Sequence, residues 1–241
     1  MFCVKIREIP LENGACSKGG ERIGREEHMK TTIYLIRHGE SEGNRQKTFL
    51  GHTDLDLTDL GRIQAERTAE YLREIPLDVI YSSDLMRAYH TALPTARVKG
   101  LEIHPSRELR EIYAGEWEGR AFEAIKTEFA ADYHVWLTDI GNAHCTKGES
   151  VEMLRDRILS EIKRIAKENE GRSIAVFTHA TPIRVVKTVW DGKPLSEMAQ
   201  TPWASNASVT RVEYENGEFL VCDYGVDFFQ GDYSTRLSKN V

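Results

Sequence analysis

Residues 32–44 read TIYLIRHGESEGN, a short apolar, β-favouring run that stops abruptly at Arg37, His38 and Gly39. A run of this kind is typical of a buried parallel strand that delivers polar residues at its carboxyl end. Open α/β sheets bind their ligands at that edge. Taken alone, the Arg-His-Gly triplet is equally compatible with a strand end that carries a surface arginine and a structural histidine. The patterns in the rest of the chain distinguish the ligand-binding interpretation from the structural one.

The loop that follows this strand is suited to an anion. Gly39 allows the backbone to turn tightly or to approach a ligand closely, and Arg37 puts a permanent positive charge beside the imidazole of His38. Ser41 and Asn44 add hydrogen-bond donors a few residues later. We therefore expect the loop to bind a phosphoryl group, with a turn or a helix cap as the alternative role of Asn44.

Composition restricts the classes of partner. The 241 residues suffice for one substantial core, and 32 Lys and Arg against 38 Asp and Glu give a formal net charge of −6. This balance provides no basic field to recruit nucleic acid or an anionic membrane surface. Apolar runs such as residues 174–177 are far too short to span a bilayer, and no hydrophobic segment of signal-peptide length is evident near the first residue. We expect a cytoplasmic protein with no nucleic-acid or membrane partner.

The domain organisation is predicted from changes in composition. Residues 1–29 are rich in Gly, Glu, Lys and Arg with little periodicity, which predicts a disordered N-terminal extension. Residues 30–226 carry regular strand and helix patterns and are expected to form one compact domain. The polar residues 227–241 are expected to form a loose C-terminal tail.

The four cysteines, Cys3, Cys16, Cys145 and Cys222, are widely scattered. They include no Cys-x-x-Cys pair, and no histidine lies at metal-finger spacing from them, so they are interpreted as ordinary thiols. Only Cys145, near Lys147, approaches the setting beside a cation that a reactive thiol requires.

Strand and helix patterns alternate along the chain, which predicts an α/β fold with a parallel sheet. After the first strand, the predicted strands are residues 79–81, 101–103 and 173–178, and the main predicted helices are residues 59–74, 85–92 and 151–169. Pro94 is expected to end the second of these helices. Asn216 and Gly217 between two β-rich runs predict a hairpin.

Polar residues suited to phosphate chemistry follow several of these strands. His38 and His179 each end a strand, so the two imidazoles would face one another if the strands are neighbours. Arg37 and Arg87 reach the same edge, Arg87 from the first turn of a helix, and Glu111 comes from the loop after another strand. Two histidines, two arginines with fork-shaped donors and one carboxylate indicate phosphoryl transfer without a metal ion.

Each of these groups has a chemical role in such a reaction. A neutral His38 nitrogen attacks phosphorus in line, while the arginines, a protonated His179 and Asn44 hold the equatorial oxygens. Glu111, kept protonated by its setting, gives a proton to the departing alkoxide and then takes one from the water that hydrolyses phosphohistidine. The alternative for Glu111 is an exposed loop carboxylate, since other glutamates lie close to it in sequence.

The sequence resembles the histidine phosphatase superfamily, the phosphoglycerate mutase-like proteins. The resemblance begins with RHGES at residues 37–41 and Asn44, and it covers about residues 31–224. Later blocks match in order: Leu57-Thr58 with Gly61, residues 81–85 with Arg87-Ala88 and Thr91-Ala92, residues 109–111 with Gly115 and residues 117–119, residues 148–150, and Thr178-His179. It implies a three-layer α/β/α fold with a mostly parallel central sheet, a catalytic domain at residues 30–226, no metal and no cofactor.

The resemblance also implies roles for individual residues. His38 resembles the histidine that becomes phosphorylated, and Glu111 resembles the proton donor. The phosphate pocket corresponds to Arg37, Arg87 and His179, with Asn44 as an additional contact. We add Ser41, Gly51 and Ala180 as further predicted substrate contacts.

The leading functional hypothesis is a phosphatase that acts on a small phosphorylated metabolite. A phosphoglycerate mutase is the runner-up, although its relatives usually carry a longer insertion and a Trp followed by two arginines, whereas Leu137 and Thr138 follow Trp136 here. A non-catalytic phosphate-binding member is the third alternative. The sequence does not distinguish the fructose-2,6-bisphosphatase-like branch of the phosphatases from the α-ribazole-phosphatase-like branch. It also does not distinguish a monomer from a homodimer. The aromatic residues of 117–136 are interpreted as core, with a substrate pocket as the alternative.

Overall fold

The computed structural model describes residues 29–235. The predicted N-terminal extension therefore lies, except for Met29, outside the described residues. The strands are β1 (Thr31–Arg37), β2 (Thr48–Phe49), β3 (Val79–Ser83), β4 (Ile103–Ser106), β5 (Arg120–Ala121), β6 (Ser173–Thr178), β7 (Val209–Glu215) and β8 (Glu218–Val226). The helices are α1 (Glu42–Gln46), α2 (Asp59–Leu72), α3 (Met86–Lys99), α4 (Phe122–Glu128), α5 (Ala130–Thr138), α6 (Val151–Glu168) and α7 (Ala180–Trp190).

The central sheet has six strands in the order β4-β3-β6-β1-β7-β8. Strands β4, β3, β6 and β1 are mutually parallel, and β7 and β8 extend the sheet in antiparallel fashion. Strands β2 and β5 form a separate two-stranded ribbon. The predicted α/β fold with a mostly parallel sheet is confirmed.

Alternation of side chains along β1 explains the three layers. Ile33 and Leu35 are fully buried on one face, in a core that includes Ile158 of α6 and Ile183 of α7. The next residue, Ile36, belongs to the opposite core, which includes residues from α2 and α3. Burying an aliphatic side chain of this size stabilises the fold by about 1.5–3 kcal/mol. Strand β1 therefore binds both helical layers to the sheet.

Helix α3 does not end where the sequence predicts. Pro94 lies inside the helix, which continues to Lys99 and ends at Gly100, whose φ is +65°. A proline inside a helix removes one backbone hydrogen bond, but Ala92 and Ala96 are buried against the sheet on either side of it. We attribute the continuation to this packing, which the local pattern does not reveal.

The two predicted features at the end of the chain have different outcomes. The Asn216-Gly217 hairpin is confirmed, because β7 pairs with β8 and both turn residues have positive φ, 54° and 88°. The loose tail is corrected for residues 227–235. Phe229 stacks on Tyr71 of α2 with ring centroids 4.3 Å apart, and Gln230 is fully buried. The side-chain amide nitrogen of Gln230 donates to the Thr68 hydroxyl and to the Gln64 carbonyl of α2, at 3.1 and 3.2 Å, so a polar segment packs on the domain.

No helix within residues 29–235 has the combination of length and apolar character that crossing a bilayer requires.

Candidate active site

Strands β1 and β6 are parallel neighbours, and the residues that follow them form the centre of the site. Arg37 pairs with Thr178 in the sheet, so His38 and His179 leave it side by side. Their ring centroids lie 5.2 Å apart. Both side chains are almost completely buried. The structure therefore brings together two imidazoles that are more than a hundred residues apart in sequence.

The hydrogen bond of His38 determines its tautomer. Its Nδ1 atom lies 2.7 Å from the carbonyl oxygen of Gly39, which can only accept, so Nδ1 carries the proton and Nε2 keeps a lone pair. Burial, followed by the charges of Arg87 and Arg37, lowers the pKa of His38 well below its usual value of 6.5. The imidazole is therefore neutral near pH 7, which is the form that can act as a nucleophile.

The loop after His38 is held by close backbone packing. The amide of Gly39 donates to the hydroxyl of Thr91, at 2.9 Å. A Cβ atom at Gly39 would lie 2.6 Å from the carbonyl oxygen of Gly61, and a Cβ at Gly61 would lie 2.0 Å from that of Glu40. The start of α2 and the loop can approach this closely only because both positions lack a side chain.

His179 differs from the expectation that it is protonated. Burial, followed by the charge on Arg87, lowers the pKa of His179 well below 6.5, so this imidazole is also neutral. Its Nε2 atom lies 2.8 Å from the Ser83 hydroxyl. Its Nδ1 atom is buried and has no hydrogen-bond partner within residues 29–235. An anion beside His179 would raise the pKa again and provide that partner.

Two buried arginines flank the histidines. Arg37 donates through Nη1 to the carbonyl of Ala204, at 2.7 Å. Arg87 donates to the carbonyls of Thr53 and Gly51, at 3.0 and 2.7 Å. Burial lowers the pKa of each guanidinium to about 10, so both remain charged at neutral pH. These carbonyl contacts fix the position of each charge without neutralising it.

The charges of these arginines are not balanced by ion pairs. Among residues 29–235, neither Arg37 nor Arg87 has a carboxylate within salt-bridge distance, although each is at most 2% exposed. The Nε atom of Arg37 is buried and has no hydrogen-bond partner in the same part of the chain. Because a buried charge without a partner is costly, the site is built to receive an anion.

Hydrogen bonds to both the carboxylate and the backbone carbonyl of Glu111 hold this residue in place. Its carboxylate oxygens accept from the amides of Ile112 and Thr181, at 2.9 and 3.3 Å. Thr181 lies in the first turn of α7. The carbonyl of Glu111 lies 3.0 Å from Nε2 of His52 and 3.2 Å from Nη2 of Arg157. His52 therefore supports this loop.

The neighbouring glutamates do not compete with Glu111 for the site. Glu116 pairs with Lys147, and Glu108 is exposed. Glu118 accepts four hydrogen bonds from its own loop and from residues 52–53, so it is a loop-organising carboxylate. Of these acidic residues, only Glu111 lines the cavity described below.

Asn44 and Ser41 form a capping box at the start of α1. Oδ1 of Asn44 accepts from the amide and hydroxyl of Ser41, both at 3.0 Å, and from Asn206 at 3.2 Å. The side-chain NH₂ group of Asn44 remains available as a hydrogen-bond donor, and the residue lines the cavity. Asn44 is therefore both a cap and a candidate contact. Ser41 is fully buried and does not line the cavity.

A cavity of about 90 Å³ opens above the histidines. Gly51 and Ala180 line it, as predicted substrate contacts would, and Gly51 has a φ of +51°. The complete lining consists of Arg37, His38, Asn44, Thr48, Phe49, Leu50, Gly51, Arg87, Glu111, Phe122, Trp136, Ala180, Thr181 and Trp203. Except for Ser41 and His179, every residue predicted to form the site contributes to this lining.

The comparison with known families agrees with this geometry. The sequence profile described as histidine phosphatase superfamily (branch 1) matches residues 33–227. The chain belongs to this family. The resemblance noted in the sequence is thereby confirmed for most of the chain.

Curated relatives of this chain include phosphatases and a mutase-like protein. Phosphoserine phosphatase 1 of Hydrogenobacter thermophilus is 28% identical over 212 residues, covering 87% of this chain and 99% of that protein. Phosphoglycerate mutase-like protein 4 of Arabidopsis thaliana is 36% identical over 157 residues, covering 63% and 67%. Adenosylcobalamin/alpha-ribazole phosphatase of Salmonella typhimurium is 33% identical over 147 residues, covering 61% and 73%.

Solved structures resemble this chain over most of its length. Bacillus stearothermophilus YhfR has a TM-score of 0.79 and 28% identity, covering 83% of this chain and 99% of that chain. The alpha-ribazole phosphatase from Shigella flexneri has a TM-score of 0.73 and 25% identity, covering 81% and 96%.

Several residues at the candidate site were not predicted from the sequence. Ser83 contacts His179, Asn206 donates to the His38 carbonyl at 3.1 Å, and Trp203 lines the cavity. Ser83 lies in one of the matching sequence blocks, but no role at the site was assigned to it there. Residues 201–207 carry no strand-end or helix-start pattern that points to the site.

The aromatic residues of 117–136 divide between the two interpretations considered. Trp117 and Tyr133 belong to the core, as favoured. Phe122 and Trp136 pack against that core and also line the cavity. Cys145 is buried, and burial raises the pKa of its thiol, so it is not a candidate nucleophile.

Proposed function

We propose that this histidine phosphatase hydrolyses a small phosphomonoester metabolite through a phosphohistidine on His38. The observation that carries the proposal is the combination of the free Nε2 lone pair of His38 with two buried guanidinium groups that lack ion pairs. A nucleophile beside unbalanced positive charge is suited to the electrophilic, anionic phosphorus of a phosphomonoester.

In the first step, Nε2 of His38 forms a bond to phosphorus while the bond from phosphorus to the alcohol oxygen breaks. Arg37 and Arg87 hold the phosphoryl oxygens, whose charge they offset. His179 takes a proton in the presence of this anion, and its Nδ1 then donates to the phosphoryl group. Asn44 supplies a further donor through its amide group.

Glu111 acts as the general acid in the first step and as the general base in the second. It gives a proton to the departing alkoxide, which leaves as the alcohol. In the second step it takes a proton from a water molecule whose oxygen attacks phosphorus. The bond between phosphorus and His38 then breaks, inorganic phosphate leaves, and the imidazole returns to its starting form. No other carboxylate of the described chain lines the cavity, which supports Glu111 in both roles.

The proposal includes independence from added metal ions, because the guanidinium groups of Arg37 and Arg87 supply the positive charge that a phosphoryl group requires. The names of two relatives, a phosphoserine phosphatase and an adenosylcobalamin/alpha-ribazole phosphatase, support a small phosphorylated substrate. They do not agree on the identity of that substrate.

A phosphoglycerate mutase is the second candidate, and the mutase-like relative favours it. A mutase must also hold the carboxylate of its substrate, and the cations that line the cavity within the described residues are Arg37 and Arg87 alone. This lining favours the phosphatase. The neutral, nucleophilic form of His38 weighs against a member that only binds phosphate.

The test is phosphate release from a panel of monoesters, including p-nitrophenyl phosphate and 3-phosphoglycerate, with excess chelator throughout. We expect release that survives the chelator and is lost in His38→Ala. Isomerisation of 3-phosphoglycerate without release would establish a mutase. No reaction with any ester would contradict the proposal and favour a binding protein.

A further inference from the structure

The wall of the cavity beyond the histidines is aromatic and apolar. Phe49 is the centre of this wall, with ring centroids 5.1 Å from Trp136 and 6.0 Å from Phe122, both edge to face. Leu50 and Trp203 complete it. Phe49 and Trp136 are at most 7% exposed, whereas Phe122 and Trp203 are only partly buried. A ligand in the cavity would therefore meet Phe122 and Trp203 first.

One face of Trp203 is already occupied. The guanidinium carbon of Arg184 lies 4.2 Å from the centroid of the indole ring. Arg184 is 6% exposed, and its Nε donates to the carbonyl of Thr201 at 2.7 Å. The Arg184 guanidinium therefore holds the indole ring in place, and the part of the ring that lines the cavity remains available for contact.

The residues on either side of Trp203 are also fixed. The hydroxyl of Tyr224 donates to the carbonyl of Pro202, at 2.7 Å, and the carbonyl of Ala204 accepts from Arg37. Trp203 is therefore one residue away from the carbonyl that positions a phosphate-binding arginine. A rigid aromatic surface at this place contacts the group attached to the phosphoryl oxygen and loses little conformational entropy on binding.

The charges in the cavity disfavour a second anionic group. Arg37, Arg87 and Glu111 are the residues of the cavity lining that carry a formal charge. In the proposed function both arginines are used by the phosphoryl group. A carboxylate elsewhere on the substrate would meet apolar side chains and no further cation of the cavity lining, so nothing would offset the cost of removing it from water.

We infer that the preferred substrate is a phosphomonoester whose alcohol carries an uncharged, apolar or planar group, and that Trp203 is the residue that selects it. This inference rests on the proposed function. It differs from a preference for phosphoserine or phosphoglycerate, because both of these carry a carboxylate.

The test compares two esters with similar leaving groups, 2-phenylethyl phosphate and ethyl phosphate. Because both leaving groups are primary alcohols, the ratio of their kcat/KM values reports contacts to the remainder of the alcohol. We expect the ratio to be about 10–100 in the wild-type enzyme, as for extra apolar groups in a complementary pocket. O-Phosphoserine and 3-phosphoglycerate should both have lower kcat/KM values than 2-phenylethyl phosphate.

The contribution of Trp203 is measured with the same ratio in variants. Trp203→Ala should bring the ratio close to 1, and Trp203→Phe should retain most of it. Trp190→Ala is the control, since Trp190 stacks on Phe219 and does not line the cavity. It should keep the wild-type ratio. A ratio measured within one variant is independent of the fraction of enzyme that is folded.

Three results would overturn the inference. A wild-type ratio near 1, with both esters hydrolysed, would show that the apolar wall does not select the substrate. A higher kcat/KM for 3-phosphoglycerate or O-phosphoserine would show that a carboxylate is recognised. An unchanged ratio in Trp203→Ala would remove Trp203 from substrate selection. Hydrolysis of neither ester and of no other monoester would overturn the proposed function itself.

Discussion

Arg157 and Glu149 form a two-pronged ion pair beside the site, with N···O distances of 2.9 and 2.8 Å. Their side chains are only 15% and 12% exposed. Arg157 also donates to the carbonyls of Arg110 and Glu111, at 3.1 and 3.2 Å. Burial opposes the ionised form of Glu149, but Arg157 and the amide of Tyr113 lower the pKa of this carboxyl. The pair therefore holds the loop that carries the proposed acid.

We expect Arg157→Lys to disturb the position of Glu111, because lysine keeps the charge but loses the planar fork that reaches several oxygens at once. The kcat/KM for an alkyl phosphate should fall by about 10- to 100-fold, as for a small misplacement of a catalytic group. The loss on p-nitrophenyl phosphate should be smaller, since its leaving group needs little protonation.

Arg155→Lys is the matched control for this change. Arg155 lies on the same helix and pairs with the exposed Glu152 and Asp156, so its replacement should leave both activities near wild type. Equal losses on alkyl and aryl esters in Arg157→Lys would indicate a general structural defect instead of a positioning role.

Glu111→Gln should remove the proposed acid while keeping the shape of the side chain. We expect kcat/KM for an alkyl phosphate to fall by about 10²–10⁴-fold, the usual contribution of general acid–base catalysis. Aryl phosphates should lose much less in their first step. Steady-state kinetics on the two ester classes measures the difference. The exposed Glu108 provides the control Glu108→Gln, and a uniform loss across leaving groups in Glu111→Gln would assign the acid to another group.

His38→Ala should abolish turnover, because the proposed route has no other nucleophile. Arg87→Ala should lower the rate by about 10²–10³-fold, by comparison with the loss of one preorganised charge-stabilising donor. Initial rates of p-nitrophenyl phosphate hydrolysis measure both. Arg97→Ala is the control, since Arg97 lies on the same helix with its side chain 72% exposed. Near-wild-type rates in either His38→Ala or Arg87→Ala would contradict the assignment of that residue to the active site.

Stability should fall as the pH drops below about 6.5, because burial lowers the pKa of His38 and of His179. In that range the unfolded chain binds protons on these imidazoles and the folded chain does not. Acid therefore favours unfolding until the pH reaches the lowered pKa values of the folded state. Melting temperatures measured between pH 7.5 and pH 5 should show this decrease.

The share of His38 in this pH dependence is tested with His38→Gln, which cannot titrate. We expect its melting temperature to decrease less over the same range than that of the wild type. His134→Gln should behave like the wild type, since His134 is exposed. A His38→Gln curve parallel to the wild-type curve would contradict the neutral state of His38.

The meeting of the histidines could be predicted because it follows from a local rule. Each ends a hydrophobic run, and carboxyl ends of parallel strands share one edge of a sheet. Trp203 and Asn206 could not be predicted in this way. Their segment reaches the site because β7 pairs antiparallel to β1, which is a long-range choice that no short window encodes.

Two local predictions were wrong for the same reason. Pro94 and the polar residues after Asp227 both carry signals that favour an end to regular structure. In the folded chain, α3 continues past Pro94 because its residues pack on the sheet, and Gln230 is buried where α2 supplies acceptors for its side-chain amide nitrogen. Tertiary packing outweighs a local preference of this size.

The sequence by itself determined the order of strands and helices, the hairpin, and the set of groups available for phosphate chemistry, because periodicity, turn residues and strand ends are local properties. Only the tertiary structure decided which nitrogen of His38 is free, which charges are buried without a partner, and which aromatic ring faces the cavity. These depend on contacts such as Arg37 with Ala204, 167 residues apart, and His179 with Ser83, 96 residues apart. Burial and hydrogen-bond geometry arise only when such distant segments pack together.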